Sequence, residues 1–220
     1  MSNPVRVKIC GVTNQQLMQD VGNAGAQYAG LVFFEKSPRC LTLQKARSIA
    51  IEAPTGLAKV ALAVNPSDSF LDSLITEVPL DMIQLHGNET PQRVTEIKQK
   101  TGLPVMKAVG VAEPEDLKNL DIYASVADQL MVDAKPPKDA KLPGGNGFTF
   151  DWRLLQGRRW TVPWMLAGGL NPENVAQAIT MTGAQQIDVS SGVESSPGKK
   201  DKQKIIDFVR VAQTHSLTVV

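Results

Sequence analysis

The sequence predicts an α/β protein that folds as a single (β/α)8 barrel domain over residues 1–220. Three observations predict this class: short apolar runs alternate with helical patterns, no linker-like tract interrupts the alternation, and glycine-rich turns follow the last two runs. The chain of 220 residues is also about as long as the smallest such barrels. An open doubly wound sheet is the competing architecture. Its glycine fingerprint would follow the first strand, where Gly11 stands alone.

The first half of the chain alternates strand and helix patterns without a break. In order, these cover Arg6–Cys10, Gln15–Asn23, Tyr28–Phe33, Leu43–Glu52, Leu57–Val64, the residues after Ser67 through Thr76, Met82–Leu85 and Pro91–Lys100. The strands are rich in valine, leucine and isoleucine, and the helices repeat apolar residues at helical spacing. Asn14 and Thr42 stand where helix N-caps are expected, and Gly102 ends the fourth helix.

The second half continues the same alternation. The predicted elements cover Pro104–Val109, Asp116–Leu120, Gln129–Val132, Trp152–Gln156, Trp164–Ala167, a helix capped by Asn171 with Pro172 at its first position, Gln186–Val189 and Asp201–Thr214. The longest irregular stretch, 134–150, is rich in proline, lysine and glycine. Loops of this length inside compact domains are usually functional or disordered.

The charge balance limits the possible partners. The chain has 23 basic and 22 acidic side chains and a formal net charge of +1, so no global field favours nucleic acid or an anionic membrane. Neither the first residues, Met1–Pro4, nor any apolar run has the pattern of a signal peptide or a membrane span. We therefore expect a cytoplasmic protein that binds neither nucleic acid nor membrane.

The cysteine and histidine content argues against metal chemistry. The two cysteines, Cys10 and Cys40, are too few for a disulfide framework or a four-thiolate zinc site. In a reducing compartment we expect both to be free thiols. Because His86 and His215 are the only histidines, a histidine-rich metal site is not expected either.

Candidate functional groups stand at the C-terminal ends of the predicted strands, where barrels of this kind carry their active sites. They are Cys10 after the first strand, Arg39 in the second loop, His86 after the fourth, Asp133 after the sixth and Asp188 on the eighth. Each also has a structural interpretation. Cys10 can be a small core residue, Asp133 a turn former, Arg39 a solvated loop residue and His86 a hydrogen-bonded structural group.

Two glycine turns predict a phosphate site. Gly168-Gly169 follows the seventh strand and Ser191-Gly192 follows the eighth, and such turns let backbone N–H groups approach an anion. One such turn is a weak signal, but the pair on the last two strands indicates a small phosphorylated substrate.

Strand parity predicts further polar groups inside the barrel. Lys8 shares a face with Cys10, Met131 shares one with Asp133, and Lys107 is expected to point inward. Buried charges have to be paired, so we expect these groups to pair with one another.

Taken in order, several motifs resemble the phosphoribosylanthranilate isomerase family of tryptophan biosynthesis. They are Lys8-Ile9-Cys10-Gly11-Val12-Thr13, Gly30-Leu31-Val32-Phe33, Ser37-Pro38-Arg39, Gln84-Leu85-His86-Gly87, Leu130-Met131-Val132-Asp133, Phe150-Asp151-Trp152, Leu166-Ala167-Gly168-Gly169-Leu170 and Ile187-Asp188-Val189-Ser190-Ser191-Gly192-Val193-Glu194. Each motif alone is unspecific, but the ordered set spans almost the whole chain.

The resemblance implies a TIM barrel that isomerises N-(5-phosphoribosyl)anthranilate to 1-(2-carboxyphenylamino)-1-deoxyribulose 5-phosphate. This is an Amadori rearrangement that needs neither metal nor cofactor. The resemblance places the general base at Cys10 and the general acid at Asp133. The implied substrate-binding residues are Arg39 for the anthranilate carboxylate, Gly169, Ser191 and Gly192 for the phosphate, and Asp188; we expect His86 to contact the substrate as well. A monomer or a homodimer is expected.

This chemistry requires particular protonation states of Asp133 and Cys10. Ring opening needs a proton at the ring oxygen, so Asp133 must be available in its protonated form, which burial or a neighbouring carboxylate favours. The resulting Schiff base acidifies C2 of the sugar, and Cys10 then needs thiolate character. Its pKa would have to be lowered by a nearby cation, and we hypothesise that Lys8 or Lys107 supplies part of that field.

Some residues depart from the family pattern. Asn146 and Phe148 stand where threonine and lysine or a similar polar residue are expected, and Cys40 replaces an aromatic residue. The third strand is less typical, although Asn65 at its end is in place.

Three rival functions fit the sequence less well. A pentose-phosphate epimerase would need metal-binding histidines, and indole-glycerol-phosphate synthase would need lysine and glutamate at the strand ends together with a longer N-terminal extension. A catalytically dead phosphate-binding barrel would not need both Cys10 and Asp133.

Overall fold

Eight parallel strands close into a barrel in the computed structural model, which describes residues 4–135, 144, 147 and 149–215. The strands are β1 Arg6–Cys10, β2 Tyr28–Phe33, β3 Ala58–Ala63, β4 Met82–Leu85, β5 Val105–Val111, β6 Gln129–Ala134, β7 Trp164–Leu166 and β8 Gln186–Val189. Their order around the barrel follows the chain, and β8 pairs with β1 to close it. The predicted (β/α)8 barrel is therefore confirmed.

Helices connect successive strands around the outside. They are α1 Gln15–Asn23, α2 Leu43–Ala50, α3 Asp68–Glu77, α4 Pro91–Thr101, α5 Leu117–Ala124, α6 Val175–Thr182 and α7 Lys202–Thr214. The N-caps Asn14 and Thr42 accept backbone N–H bonds as predicted. The longest helix in this part of the chain, α7, has 13 residues, and none of the described helices is long and apolar enough to cross a bilayer.

The structure corrects two predicted helices. Residues Trp152–Leu155 form a 3₁₀ turn and not an α-helix. The prediction that Asn171 caps the following helix is wrong, because α6 begins at Val175. The Asn171 side chain instead accepts backbone N–H bonds from Glu173 and Asn174, which forms a turn of its own before the helix.

The barrel interior holds a small apolar cluster, separate from the larger core between strands and helices. Its members are Tyr28, Val60, Met106, Ala108, Met131, Met165 and Ala167. Because side chains alternate along a strand, Lys107 points out of the barrel between Met106 and Ala108. Its Nζ lies 3.0 Å from Oε2 of Glu89 and 5.4 Å from the centre of the Tyr123 ring. The predicted inward direction of Lys107 is wrong.

Candidate active site

A cavity of about 500 Å³ opens at the C-terminal ends of the strands. The five charged or titratable residues singled out from the sequence all line it: Cys10, Arg39, His86, Asp133 and Asp188. Apolar side chains of Phe34, Leu62 and Val64 line another part of its wall. A pocket with a few convergent polar groups beside an apolar wall is typical of a small-molecule site.

Glycines next to β1 make room for the Cys10 side chain. Gly30 lies opposite Cys10 on β2, and a Cβ atom there would lie 3.0 Å from the Cys10 sulfur and 3.2 Å from Nζ of Lys8. Gly11 then turns the chain with a φ of +86°, a conformation that glycine adopts readily, and the Arg39 side chain packs against it. The sequence thus brings a thiol, an ammonium and a guanidinium to the end of one strand.

Lys8 and Asp188 form an ion pair inside the barrel beside Cys10. Nζ of Lys8, fully buried, lies 2.7 Å from Oδ1 of Asp188. Burial lowers the pKa of Lys8, but the carboxylate of Asp188, together with Cys10 whenever that thiol is ionised, more than offsets this and holds the pKa above its ordinary value. Lys8 is therefore a permanent cation at the base of the site.

The pKa of Cys10 does not fall as the sequence-based hypothesis requires. Burial raises the pKa of the thiol, and it stays above its ordinary value although Lys8, Lys200 and Arg39 lower it, because Asp188 adds to the effect of burial. Lys8 thus contributes the favourable field that was expected. Lys107, which points out of the barrel to Glu89, does not.

Arg39 is buried and paired, and it is not a solvated loop residue. Its Nε and Nη2 donate to the two carboxylate oxygens of Glu194 at 2.7 and 2.8 Å. Lys200 donates to the same carboxylate at 2.7 Å and to the carbonyl oxygen of Ser190 at 2.9 Å. Burial opposes ionisation of Glu194, but Arg39 and Lys200 outweigh it and lower its pKa to about 2.

Glu194 and Lys200 were not predicted as part of the site. Glu194 starts a short strand, β9 Glu194–Ser196, that pairs with β10 Lys199–Lys200 in a small hairpin after β8. The hairpin folds back so that its charges meet Arg39. The run Gly198-Lys199-Lys200 is a local signal of charge, but only the fold shows where that charge lies.

Asp133 contacts a partner on each carboxylate oxygen. Its Oδ1 accepts the backbone N–H of Ala134 at 2.8 Å, and its Oδ2 lies 3.2 Å from Nε2 of His86. Gly144 packs directly over this contact, because a Cβ atom there would lie 2.6 Å from His86 Nε2 and 2.9 Å from Asp133 Oδ2. His86 therefore meets the carboxyl group of Asp133 at the edge of the cavity.

The turns after β7 and β8 line an adjoining cavity of about 420 Å³. Gly169 and Ser191 line it, and Asp133 and Asp188 belong to the walls of both cavities, so the two form one continuous site. Gly192 is not among the residues that line this cavity. A Cβ atom at Gly192 would overlap the carbonyl oxygen of Leu170, so this glycine lets the two turns pack against each other.

The departures from the family pattern lie at the margin of the site or beyond the described residues. Cys40 is exposed and lines a separate groove with Phe33 and Phe70. Asn146 and Phe148 fall outside the described residues. Within the described ranges, both cysteines are free thiols and no group of three potential ligand side chains is placed to hold a metal ion.

Comparison with known proteins decides the family. The model of the N-(5'-phosphoribosyl)anthranilate isomerase family matches residues 7–211. The chain belongs to this family. It is accordingly an isomerase of tryptophan biosynthesis, and the rival assignments to an epimerase or to indole-glycerol-phosphate synthase are set aside.

Relatives of the same family name cover nearly the whole chain. The N-(5'-phosphoribosyl)anthranilate isomerase of Ruegeria sp. (strain TM1040) is 59% identical over 210 residues, which is 95% of this chain and 98% of that protein. The enzyme of the same name from Paracoccus denitrificans (strain Pd 1222) is 60% identical over 205 residues, 93% of this chain and 95% of that protein.

Solved structures of the family share the fold. The phosphoribosyl anthranilate isomerase of Thermotoga maritima is 36% identical with a TM-score of 0.86, covering 96% of this chain and 99% of that one. A second isomerase structure, in complex with reduced 1-(o-carboxyphenylamino)-1-deoxyribulose 5-phosphate, is 34% identical with a TM-score of 0.82 over the same shares of the chains.

Proposed function

We propose that this isomerase converts N-(5-phosphoribosyl)anthranilate to 1-(2-carboxyphenylamino)-1-deoxyribulose 5-phosphate with Cys10 as general base and Asp133 as general acid. The observation that carries the assignment is that both side chains line one cavity at the strand ends, next to the buried guanidinium of Arg39. A thiol on β1 and a carboxyl group on β6 that line one cavity suit a reaction that adds one proton and removes another.

Ring opening is the first step. Asp133 in its protonated form gives its proton to the ring oxygen, while the anilino nitrogen forms a double bond to C1 and the C1–O bond breaks. We assign that proton to Oδ2 of Asp133, which lies 3.2 Å from Nε2 of His86, since Oδ1 already accepts the Ala134 N–H. The product of this step is the open-chain Schiff base.

Proton removal from C2 is the second step. The Cys10 thiolate takes the C2 proton, the C2–H electron pair forms the C1=C2 double bond of the enolamine, and the C1=N pair moves to the nitrogen. C1 then takes up a proton while the C2 hydroxyl gives up its own, which leaves the 2-keto product. Because burial and Asp188 hold the pKa of Cys10 high, the free enzyme carries the thiol at neutral pH. A substrate hydroxyl bonded to Asp188 would disperse that negative charge and favour the thiolate in the complex.

Substrate binding divides between the two parts of the site. Glu194 holds Nε and Nη2 of Arg39, which leaves the Nη1 side of the guanidinium to meet the anthranilate carboxylate. The backbone at Gly169 and Ser191 is suited to the phosphate. Gly192 supports that turn without lining it. In this proposal the sugar lies between the aromatic acid in one cavity and the phosphate in the other. We expect a monomer or a homodimer.

Loss of anthranilate fluorescence on mixing with freshly made substrate tests the proposal. We expect Cys10→Ala and Asp133→Ala to lose about 10²–10⁴ of the turnover. Cys40→Ala, which removes the exposed thiol outside the cavity, serves as the matched control and should keep full activity. Folded Cys10 and Asp133 variants with undiminished rates would refute the assigned roles.

A further inference from the structure

Gln84 is a buried amide that connects the barrel interior to the Asp133 contact. It lies on β4 with no exposed surface, and it lines the cavity that holds Cys10 and Asp133. Its Nε2 lies 2.9 Å from Nδ1 of His86 and 3.2 Å from the sulfur of Met131. Gln84, His86 and Asp133 therefore form a continuous chain of polar contacts.

Stability alone does not account for a glutamine at this position. Oε1 of Gln84 is buried and has no hydrogen-bond partner among the residues that the structure describes. A buried unpaired carbonyl costs about 1–3 kcal/mol, and a methionine of similar shape beside Met131 would avoid that cost. The amide nitrogen, which faces His86, is the part of the side chain with a specific contact.

That contact favours one tautomer of His86. With Nε2 of Gln84 turned towards it, Nδ1 of His86 is placed to accept, because an amide nitrogen is a donor and has no acceptor capacity. The proton of the neutral imidazole is then on Nε2, which faces Oδ2 of Asp133 at 3.2 Å. In this tautomer His86 turns its N–H towards the carboxyl group and cannot take a proton from it through Nε2.

The placement of this N–H orients the acid. With the Ala134 N–H bonded to Oδ1 and Nε2 of His86 3.2 Å from Oδ2, each carboxyl oxygen of Asp133 faces one N–H group. The proton of the carboxylic acid on Oδ2 is left to point into the cavity. The same Nε2–H stabilises the carboxylate once that proton has gone to the substrate.

We propose that Gln84 is a positioning residue that fixes the His86 tautomer and through it orients the Asp133 carboxyl group for proton donation. This inference rests on the proposed role of Asp133 as general acid. Gln84 acts on the rate of ring opening and not on the affinity for the substrate.

Two substitutions at Gln84 separate this role from a structural one. Gln84→Met keeps the volume and removes the donor, and Gln84→Glu replaces the donor by an acceptor that attracts a proton to Nδ1 of His86. Gln129→Met is the matched control, because Gln129 is another buried barrel glutamine, bonded to Gln186 and not to His86. The ¹⁵N chemical shifts of His86, kcat, KM and melting temperature are measured for each variant at one neutral pH.

The expected results differ among the three variants. Wild type shows the neutral Nε2–H form of His86, and Gln84→Glu shifts the signals to a form protonated on Nδ1. Gln84→Met loses about tenfold or more in kcat, the scale of loss seen when a group that orients a histidine is removed. Its KM and melting temperature do not worsen. Gln129→Met keeps wild-type kcat and His86 signals.

Unchanged His86 signals in both Gln84 variants, or a loss of activity that is entirely a rise in KM, would overturn the inference. Asp133→Asn, assayed alongside, distinguishes its failure from that of the proposed function. If Asp133→Asn is fully active, the acid assignment fails. If Asp133→Asn is inactive while Gln84→Met has wild-type kcat, only the role of Gln84 fails.

Discussion

The ammonium of Lys8 lies 2.7 Å from the carboxylate of Asp188, with which it forms a buried pair beside the Cys10 thiol. The two residues are 180 positions apart and meet because β8 closes the barrel against β1. Their opposite charges act on the same sulfur, since Lys8 lowers and Asp188 raises the pKa of Cys10. Any change in this pair should therefore appear in the reactivity of the thiol.

We predict that Lys8→Met shifts the pH curve of Cys10 alkylation to higher pH. The substitution removes the cation that lowers the thiol pKa most and leaves Asp188, which raises it. It also leaves a buried carboxylate without its partner, at a cost of about 3–5 kcal/mol in the free energy of unfolding. The rate of iodoacetamide modification of Cys10 against pH, in a variant lacking Cys40, measures the shift.

Lys107→Met is the matched control for this prediction. Lys107 is equally a buried lysine paired with a buried carboxylate, Glu89, but it lies outside the barrel. Its removal should lower the free energy of unfolding and leave the pH dependence of Cys10 alkylation unchanged. Equal shifts from both substitutions would show that the field at Cys10 does not come from Lys8.

We predict that Glu194→Gln lowers the free energy of unfolding at neutral pH by about 3 kcal/mol. Two buried cations, Arg39 and Lys200, lose their shared counter-ion in this variant. The pKa of Glu194 is about 2 in the folded protein against an ordinary 4.5. The stabilisation is thus complete above about pH 4.5 and is lost as the pH falls towards 2. Denaturant unfolding at several pH values should show that the free energies of unfolding of wild type and of Glu194→Gln converge as the pH falls from 4.5 towards 2. A constant difference down to pH 2 would contradict the assignment.

Arg39→Lys should raise KM more than it lowers kcat. A lysine cannot make the two parallel bonds to Glu194 that fix the guanidinium, so its charge is no longer held for the anthranilate carboxylate. Steady-state kinetics and product binding measure the effect. Arg47→Lys, which changes an arginine that bonds only the α3 carbonyl of Glu77 among its described contacts, controls for the substitution itself. An unchanged KM would remove Arg39 from the binding site.

Gly30→Ala should leave the protein folded and lower kcat. The new methyl group would lie 3.0 Å from both the sulfur and the Cα of Cys10, so Cys10 has to shift by a few tenths of an ångström. Overpacking of this kind costs about 1–3 kcal/mol, and the loss in kcat should stay below the roughly hundredfold cost of misplacing a catalytic group by about 1 Å. Melting temperature and kcat are measured together.

Gly22→Ala provides the comparison for Gly30→Ala. A Cβ atom at Gly22 would lie 2.7 Å from the Pro54 side chain, far from the cavity. It should cost similar stability without the loss in kcat. If both variants keep full activity, Gly30 does not set the position of Cys10.

Local sequence patterns were sufficient to predict the barrel fold. They also predicted that the site lies at the C-terminal ends of the strands. The strands read as apolar runs, and barrel topology then placed Cys10, His86 and Asp133 together although they are far apart in sequence. The start of α6 could not be read correctly because Asn171-Pro172 is equally a helix start and a turn. Its side chain satisfies two N–H groups before the helix begins.

The energetics of the site could not be predicted in the same way. Lys8–Asp188 and Arg39–Glu194 join residues 180 and 155 positions apart, so no local pattern identifies the pairs. Whether Lys107 points into or out of the barrel depends on the register of β5, because a shift by one residue reverses the direction of every side chain. The sequence alone does not determine that register. The high pKa of Cys10 follows from burial, a property of the packed fold.

The central claim is that Cys10 removes the proton from C2 of the sugar. Substrate carrying deuterium at C2 tests it in a single turnover, with enzyme in excess and deuterium release to solvent as the readout. We predict that Cys10→Ala releases deuterium at least about a hundredfold more slowly than wild type, while Cys40→Ala matches wild type. Release at the wild-type rate by folded Cys10→Ala would contradict the account.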